Sequence, residues 1–209
     1  TLHPAVHGGI LARKSNAGDI ARLAELDYTS RDLVCVNLYP FEETSSRRPP
    51  VGEAELIEMI DIGGPTMIRS AAKNFEDVIV LTNPNQYQNI LENLTKKNGS
   101  PLGITLENRR KLALEAFERT SEYDLAISME LSRRINRNQI PTKIKISTEK
   151  GTKLRYGENP HQLASFYPDT LHNGETGLSA INQHSGNQLS FNNYLDLDGT
   201  LRILRSLLT

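Results

Sequence analysis

The sequence has no tryptophan, a single cysteine and almost no excess of charge. One cysteine cannot form an internal disulfide, so the fold does not rest on oxidative crosslinks. The 24 lysines and arginines nearly balance 25 aspartates and glutamates, which argues against a nucleic-acid binder that relies on a broad basic field. We therefore expect no nucleic-acid partner.

Long apolar runs are also missing. No stretch approaches the about 20 residues that cross a bilayer, so we expect no membrane partner. The 209 residues suit one domain, or one domain and the start of another. The sequence opens at Thr1 with no initiator methionine and no signal-peptide pattern, and we expect it to be a part of a longer protein.

Two short apolar runs predict buried strands. Leu33 to Tyr39 and Val78 to Leu81 are continuously apolar, which is typical of strands covered on both faces in a parallel sheet. Apolar residues at helical spacing lie between and after them, so the sequence predicts an α/β fold. The chain becomes polar near Asn136, which indicates domains at 1–137 and 154–209 joined by a linker at 138–153.

The segment around Gly63 and Gly64 is the most informative for function. Pro65 suits the first turn of a helix, whose exposed amides would attract an anion. Beyond it, one face carries Thr66, Arg69, Ser70 and Lys73, and the other carries Ile68, Ala71, Ala72 and Phe75. The alternative is an ordinary amphipathic helix with a solvated polar face.

Other polar residues have both functional and structural interpretations. Asn37 and Tyr39 follow the first strand, where parallel sheets bind ligands, although Tyr39 could simply cap the core. His3 and His7 have a helical metal-ligand spacing, but the nearby proline and glycines argue against a regular helix, and we expect no metal site. Cys35 is predicted to be a small buried core residue.

Four segments in order resemble a known family. They are Thr-Leu-His-Pro-Ala-Val-His-Gly-Gly-Ile-Leu-Ala-Arg at residues 1–13, Asn-Leu-Tyr-Pro-Phe at 37–41, Ile-Asp-Ile-Gly-Gly at 60–64 with Ala-Ala-Lys-Asn at 71–74, and Leu-Arg-Tyr-Gly-Glu-Asn-Pro-His-Gln at 154–162. Together they resemble the bifunctional enzymes of purine biosynthesis that join an IMP cyclohydrolase domain to an AICAR transformylase domain.

The resemblance implies a fold and an activity. The first domain would be a methylglyoxal-synthase-like parallel sheet with flanking helices, incomplete at its N-terminus. The second would be the start of a cytidine-deaminase-like α/β transformylase domain. The cyclohydrolase closes 5-formamidoimidazole-4-carboxamide ribotide (FAICAR) to IMP with loss of water and without a cofactor. The whole enzyme also transfers a formyl group from 10-formyltetrahydrofolate to AICAR. A homodimer in the cytoplasm is expected, with a plastid as the alternative if a transit peptide was removed.

The resemblance also implies site residues. The family's catalytic tyrosine, aspartate and lysine match Tyr39, Asp61 and Lys73. Ring closure needs a donor for a developing oxyanion, suited to Lys73 or Tyr39, and a proton transfer, suited to an Asp–Lys pair. The assignment of acid and base stays open. Nucleotide-binding positions match Thr1, Asn37, Ile62, Gly63 and Gly64 in the first domain and Arg155, Tyr156 and Asn193 in the second.

The match also predicts limits on activity. In the family, a strand and phosphate-binding positions precede the Thr-Leu-His-Pro segment, and most of the transformylase domain follows residue 209. We therefore expect this chain to be weakly active or inactive alone. Two alternatives are a non-catalytic module for a phosphorylated ligand, as in carbamoyl-phosphate synthetase, and a partial gene product that shows no cooperative unfolding.

Overall fold

The computed structural model describes residues 1–96, 103–135, 148, 151–168 and 177–208. It divides into two compact units, Thr1–Pro141 and Thr142–Thr209. Most of the predicted linker at 138–153 lies outside the described residues.

The first unit combines helices with a small parallel sheet. Strand β1 (Leu33–Cys35) pairs in parallel with β2 (Ile79–Leu81), with Val34 opposite Val80. The helices are α1 (Pro4–Leu11), α2 (Ala17–Glu25), α3 (Phe41–Ser46), α4 (Glu53–Glu58), α5 (Gly63–Lys73), α6 (Tyr87–Thr95) and α7 (Leu106–Ile135). The predicted α/β architecture with parallel strands is confirmed.

Helix α5 lies at the centre of the first unit, in contact with both strands and with α7. Its Ile68, Ala71 and Ala72 side chains are buried in one core with β2, as the apolar spacing predicts. The helix begins at Gly63, two residues before the predicted start at Pro65. Asp61 can cap the amide of Gly64, and this contact lets the helix start earlier.

Strand β1 is more exposed than its apolar sequence predicts. Val34 is buried, but Leu33 is 39% exposed and Cys35 is also exposed. The predictions that this strand is covered on both faces and that Cys35 is a core residue are therefore wrong. Alternate side chains of a strand point to opposite faces, and in β1 the Val34 face is buried while the Leu33 and Cys35 face stays exposed.

Helix α1 forms where proline and glycine argue against a helix. Pro4 occupies the first turn, where its missing N–H costs nothing, and the side chain of His3 caps the amide of Ala5. Gly9 is required because a Cβ there would overlap the carbonyl oxygen of Thr29. The Gly9 carbonyl in turn accepts a hydrogen bond from Arg31 N at 2.8 Å, which anchors α1 beside β1.

The second unit is smaller. A short antiparallel pair, β3 (Thr152–Lys153) and β4 (Ser165–Phe166), precedes a 3-10 turn at Gly177–Ala180 and helix α8 (Phe191–Leu208). Helix α8 is one of the helices that the apolar spacing after the strands predicts. No helix in the described residues of either unit is long and apolar enough to cross a membrane.

Candidate functional site

Asp61 lies where the N-terminus of α5 approaches the chain that leaves β1. Its Oδ1 accepts a hydrogen bond from Gly64 N at 2.8 Å, so the carboxylate caps the first turn of the helix. The methyl groups of Leu38 also pack close to Gly64. A negative side chain at the positive end of a helix is electrostatically favourable, and this interaction holds Asp61 in place.

The backbone of Asp61 is held by Tyr123 from the middle of α7. The buried Tyr123 hydroxyl donates to Met59 O at 2.6 Å and accepts from Asp61 N at 2.9 Å. The Phe41 ring packs edge-on against it, with ring centroids 6.2 Å apart. Burial raises the pKa of Tyr123 above its ordinary value, so its hydroxyl stays protonated and keeps its donor role.

Two glycines let side chains approach the start of α5. A Cβ on Gly63 would overlap the Thr1 side chain, and a Cβ on Gly64 would overlap the Asp61 carboxylate. The predicted substrate-binding glycines therefore have a second, steric role. They let Thr1 and Asp61 lie against the helix backbone.

His7 connects Thr1 to α5, a role that its sequence context does not indicate. One ring nitrogen of His7 lies 3.1 Å from Ser70 Oγ, and the other lies 3.1 Å from the Thr1 carbonyl oxygen. His7 is thus a bridge between the start of the chain and the polar face of α5. His3 caps α1, and the described residues contain no group of three or more side chains suited to a metal ion.

Thr1, Tyr39, Asp61, Ile62 and Gly63 together form what we call the mouth. Tyr39 is 53% exposed and Ile62 is 63% exposed, so both reach solvent. Tyr39 directly follows Leu38, which packs close to Gly64 at the start of α5. Within the described part of the chain the Tyr39 hydroxyl has no hydrogen-bond partner. The mouth therefore offers an unused phenol, a fixed carboxylate and exposed apolar surface to a ligand.

Asn37 lies next to the mouth, with its side-chain oxygen already in use. Asn37 Oδ1 accepts a hydrogen bond from the Tyr87 hydroxyl at 2.9 Å. The neighbouring Cys35 thiol, together with burial, raises the pKa of Tyr87, so this hydroxyl also remains a donor. Asn37 can meet a ligand through its amide nitrogen, which donates hydrogen bonds.

Lys73 is not brought together with Asp61. Helix α5 has 11 residues, and at 1.5 Å per residue its ends are about 15 Å apart. Lys73 ends the helix and lines an open groove between α5 and α7, which we call the α5–α7 groove, with Arg69 and Arg110. The predicted polar face of α5 is confirmed, but its two cations, Arg69 and Lys73, line this groove.

In the second unit, Arg155 is exposed and the adjacent Tyr156 is half-buried. The Arg155 guanidinium lies 4.9 Å from the centre of the Tyr156 ring and 3.3 Å from its hydroxyl. Asn193 has a structural contact instead, because its Oδ1 accepts hydrogen bonds from Ser190 N and Ser190 Oγ, both at 3.0 Å. These contacts cap the start of α8.

A capped helix N-terminus beside the carboxyl end of a parallel strand defines an α/β protein with a site for a small polar or anionic ligand. Comparison with known proteins identifies the family within this class. The family model for the AICARFT/IMPCHase bienzyme matches residues 71–208. The chain belongs to this family, and the resemblance inferred from its motifs is confirmed.

Individual relatives agree with the family assignment. The bifunctional purine biosynthesis protein PurH of Acetivibrio thermocellus is 43% identical over 206 residues, and that of Trichodesmium erythraeum is 46% identical over 208 residues. Each alignment covers 98% of this chain but 39% of the relative, so the chain spans about two fifths of their length. The crystal structure of ForH aligns with a TM-score of 0.54 and 38% identity, over 63% of this chain and 66% of that one.

Proposed function

We propose that the mouth of the first unit is an IMP cyclohydrolase site that binds FAICAR and closes it to IMP. The observation that carries the proposal is the fixed Asp61, held by Gly64 and Tyr123. The exposed Tyr39 follows Leu38, which packs at the same end of α5. Membership of the AICARFT/IMPCHase family supports it. A module that only binds a phosphorylated ligand has no need for this pair beside the bound ring.

The reaction needs few groups. The carboxamide nitrogen attacks the formyl carbon, a C–N bond forms, and the formyl oxygen leaves as water after it receives protons. Holding the two reacting groups together supplies much of the rate. The Tyr39 hydroxyl can donate to the developing oxyanion, and the Asp61 carboxylate can accept the proton that nitrogen loses. No cofactor enters these steps.

Lys73 enters the proposal through the resemblance alone. About 15 Å of helix separates it from the residue that would be its partner. We therefore assign both proton transfers to Asp61 and Tyr39. Thr1, Asn37, Ile62, Gly63 and Gly64 would hold the nucleotide, with the amides of α5 toward an anionic group.

The finer architecture belongs to the same proposal. A parallel strand pair flanked by helices suits a methylglyoxal-synthase-like domain over 1–137, followed by a linker at 138–153. Residues 154–209 would open a cytidine-deaminase-like transformylase domain. There, Arg155 and Tyr156 would hold AICAR, and Asn193 would contribute only its amide nitrogen. Use of 10-formyltetrahydrofolate, a homodimer and a cytoplasmic location are proposed for the whole protein.

The test is IMP formation from FAICAR by the 209-residue chain, followed by ultraviolet absorbance. Turnover is expected to be slow, so IMP binding is measured by calorimetry alongside. Asp61→Asn should lower turnover by about 100-fold and Tyr39→Phe by about tenfold or more, because each removes one proton-transfer or oxyanion contact.

Asp124→Asn is the matched control, since Asp124 is an exposed carboxylate of α7 that is not one of the mouth residues. It should leave turnover and IMP binding unchanged. Equal turnover in all three variants would contradict the proposal. IMP binding that depends on mouth residues without any turnover would favour the binding module instead.

A further inference from the structure

A small apolar core joins the two chain segments that carry Tyr39 and Asp61. Its buried members, which we call the Tyr123 core, are Phe41, Leu56 and Tyr123. Partly buried side chains that pack against it include Leu38, Met59 and Ile60. The core therefore holds residues on both sides of Tyr39 and the two residues that precede Asp61.

The hydroxyl of Tyr123 makes the polar contact between this core and Asp61. It accepts a hydrogen bond from Asp61 N at 2.9 Å and donates its one proton to Met59 O at 2.6 Å. Both contacts are satisfied at once, because an amide nitrogen only donates and a carbonyl oxygen only accepts. Tyr123 is fully buried, so its ring has little room to move. The backbone of Asp61 is therefore held at a fixed place on α7.

The ring of Tyr123 reaches Tyr39 through Phe41. The fully buried Phe41 ring packs edge-on against it, with the ring centroids 6.2 Å apart. Pro40 has φ −78° and ψ 61°, and Phe41 N donates to Tyr39 O at 2.8 Å. These features define an inverse γ-turn, in which the proline ring also fixes φ. The backbone of Tyr39 is therefore tied to a side chain that packs on Tyr123.

An ion pair holds the start of α3 on α7 beside this ring contact. Arg119 lies one turn before Tyr123, and its guanidinium donates to the Glu42 carboxylate at 2.8 Å. The same guanidinium lies 5.9 Å from the centre of the Tyr123 ring. Since both charged side chains are partly exposed, the pair contributes less than the buried rings. It supports the contact of Phe41 with Tyr123.

We propose that Tyr123 is a positioning residue for both groups that transfer protons in the mouth. Its hydroxyl positions Asp61, and its ring positions Tyr39 through Phe41 and the γ-turn. The inference rests on the proposed ring closure, in which Tyr123 itself is buried and touches no reacting atom. Ring closure depends on precise placement of the reacting groups, so a small displacement should lower turnover more than it lowers binding.

Tyr123→Phe tests the contact with Asp61, because it removes the hydroxyl and keeps the ring. It should lower kcat for IMP formation by about tenfold and change KM by less than about twofold. In the Asp61→Asn background it should cause no further loss, because the residue through which it acts is already altered. Tyr28→Phe is the control, since the half-buried Tyr28 contacts the His3 ring. It should leave kcat and KM unchanged.

Pro40→Ala tests the connection to Tyr39 without opening the core, because Pro40 is exposed. It frees the backbone φ angle of the γ-turn and should lower kcat by about threefold or more. In the Tyr39→Phe background it should cause no further loss. Pro84→Ala is the matched control, since Pro84 is an exposed proline that begins the 3-10 turn after β2. Thermal melting checks that every variant is folded.

Amide hydrogen exchange of the 209-residue chain measures the same contacts without turnover. In Tyr123→Phe the Asp61 amide should exchange at least about tenfold faster, relative to the amide of Val80. Val80 lies in the larger core of the first unit, so it reports any general loss of stability. In Pro40→Ala the Phe41 amide should exchange faster by the same comparison.

Four results would overturn the proposal. They are equal losses of turnover from Tyr123→Phe with and without Asp61→Asn, a rise in KM as large as the fall in kcat, a Pro40→Ala variant that behaves like Pro84→Ala, and unchanged relative exchange at Asp61. If the unaltered chain forms no IMP, the ring-closure proposal fails. The exchange rates at Asp61 and Phe41 then decide by themselves whether Tyr123 holds both segments in place.

Discussion

The hydroxyl of Tyr123 joins two backbone groups that flank the functional carboxylate. It donates to Met59 O and accepts from Asp61 N, and the ring is fully buried against Phe41. Gly64 N holds the other end of Asp61 through the carboxylate. Asp61 is therefore fixed through both its backbone and its side chain.

Tyr123→Phe should destabilise the first unit by about 1–3 kcal/mol, because the Asp61 N–H and Met59 carbonyl lose their partner in a partly buried place. The measurement is the free energy of unfolding in urea. Tyr28→Phe is the control, since the half-buried Tyr28 makes a ring contact with His3. A change for Tyr123→Phe no larger than that of the control would contradict this role.

For single residues, the sequence predicted which side chains share a helix face better than it predicted which side chains contact each other. The spacing of Thr66, Arg69, Ser70 and Lys73 gave the polar face of α5. Nothing local indicated that the Tyr123 hydroxyl would reach Asp61, because helical periodicity shows which side of a helix is apolar but not what it meets. The separation of Lys73 from Asp61 could have been predicted, because the number of helical residues between them sets the length of the helix.

Helix α1 shows how a single glycine fixes the position of an element. Gly8 and Gly9 are neighbours, but only Gly9 lies against backbone, with its Cα beside the Thr29 carbonyl oxygen. Gly8 faces the Tyr28 and Leu23 side chains at 3.5 and 3.8 Å from an added Cβ, which are ordinary contacts. Alanine substitutions at the two positions therefore allow a matched comparison within one helix.

Gly9→Ala should lower the free energy of unfolding by about 2–4 kcal/mol, because the added methyl must push α1 away from the Thr29 backbone. Gly8→Ala should be neutral or stabilise by up to about 1 kcal/mol, since alanine favours helix. Urea unfolding of both variants checks this. Equal effects would show that Gly9 is not a close-approach position.

Helices could be predicted where apolar residues recur with helical periodicity. The long α7 and α8 follow from their apolar spacing. The exposure of β1 was not predictable, because an apolar run shows that a strand prefers burial but not which neighbours cover it. Helix α1 formed against the local signal because tertiary contacts at Gly9 outweighed weak propensity.

Across the whole molecule the charges nearly cancel, yet individual carboxylates carry part of the stability. Glu130, 10% exposed near the end of α7, accepts hydrogen bonds from Arg133 and Arg134 at 2.7 Å. Arg134 also reaches Val51 O at 3.2 Å. The Arg133 hydrogen bonds, aided by Arg134, lower the pKa of Glu130 to about 2.

This pKa predicts an acid-dependent loss of stability. The folded pKa is below the ordinary value of 4.5, so the stabilisation is complete above pH 4.5 and is lost as the pH falls toward about 2. Glu130→Gln should destabilise the first unit at neutral pH and flatten the pH dependence in that window. Urea midpoints measured across this pH range test it.

Glu107→Gln is the matched control, because Glu107 is exposed on the same helix, pairs with the exposed Lys111 and is also attracted by Arg110. A surface pair of this kind contributes little. If Glu107→Gln and Glu130→Gln shift the urea midpoint equally, the contacts of Glu130 with Arg133 and Arg134 contribute nothing special.

For the chain as a whole, composition argued against nucleic-acid-binding and membrane proteins, and the sequence motifs identified the family. Balanced charge over the whole chain coexists with a local cluster of cations, since Arg69, Lys73 and Arg110 all line the α5–α7 groove. A change from periodic to polar sequence near Asn136 predicts domains at 1–137 and 154–209, and these boundaries stay a prediction. The compact units of the structure divide between Pro141 and Thr142. Pairing of the helices around α5 required the three-dimensional structure.

The hydrogen bond between Tyr123 and Asp61 also sets an order of events during synthesis. The two residues are 62 positions apart. At about 5–20 residues per second, a ribosome adds Tyr123 about 3–12 s after Asp61. Until then the Asp61 amide has only water as a partner, even if α5 has formed. The nascent chain therefore completes this contact only after Tyr123 in the middle of α7 has left the ribosome, although β1, α5 and β2 all precede it in the sequence.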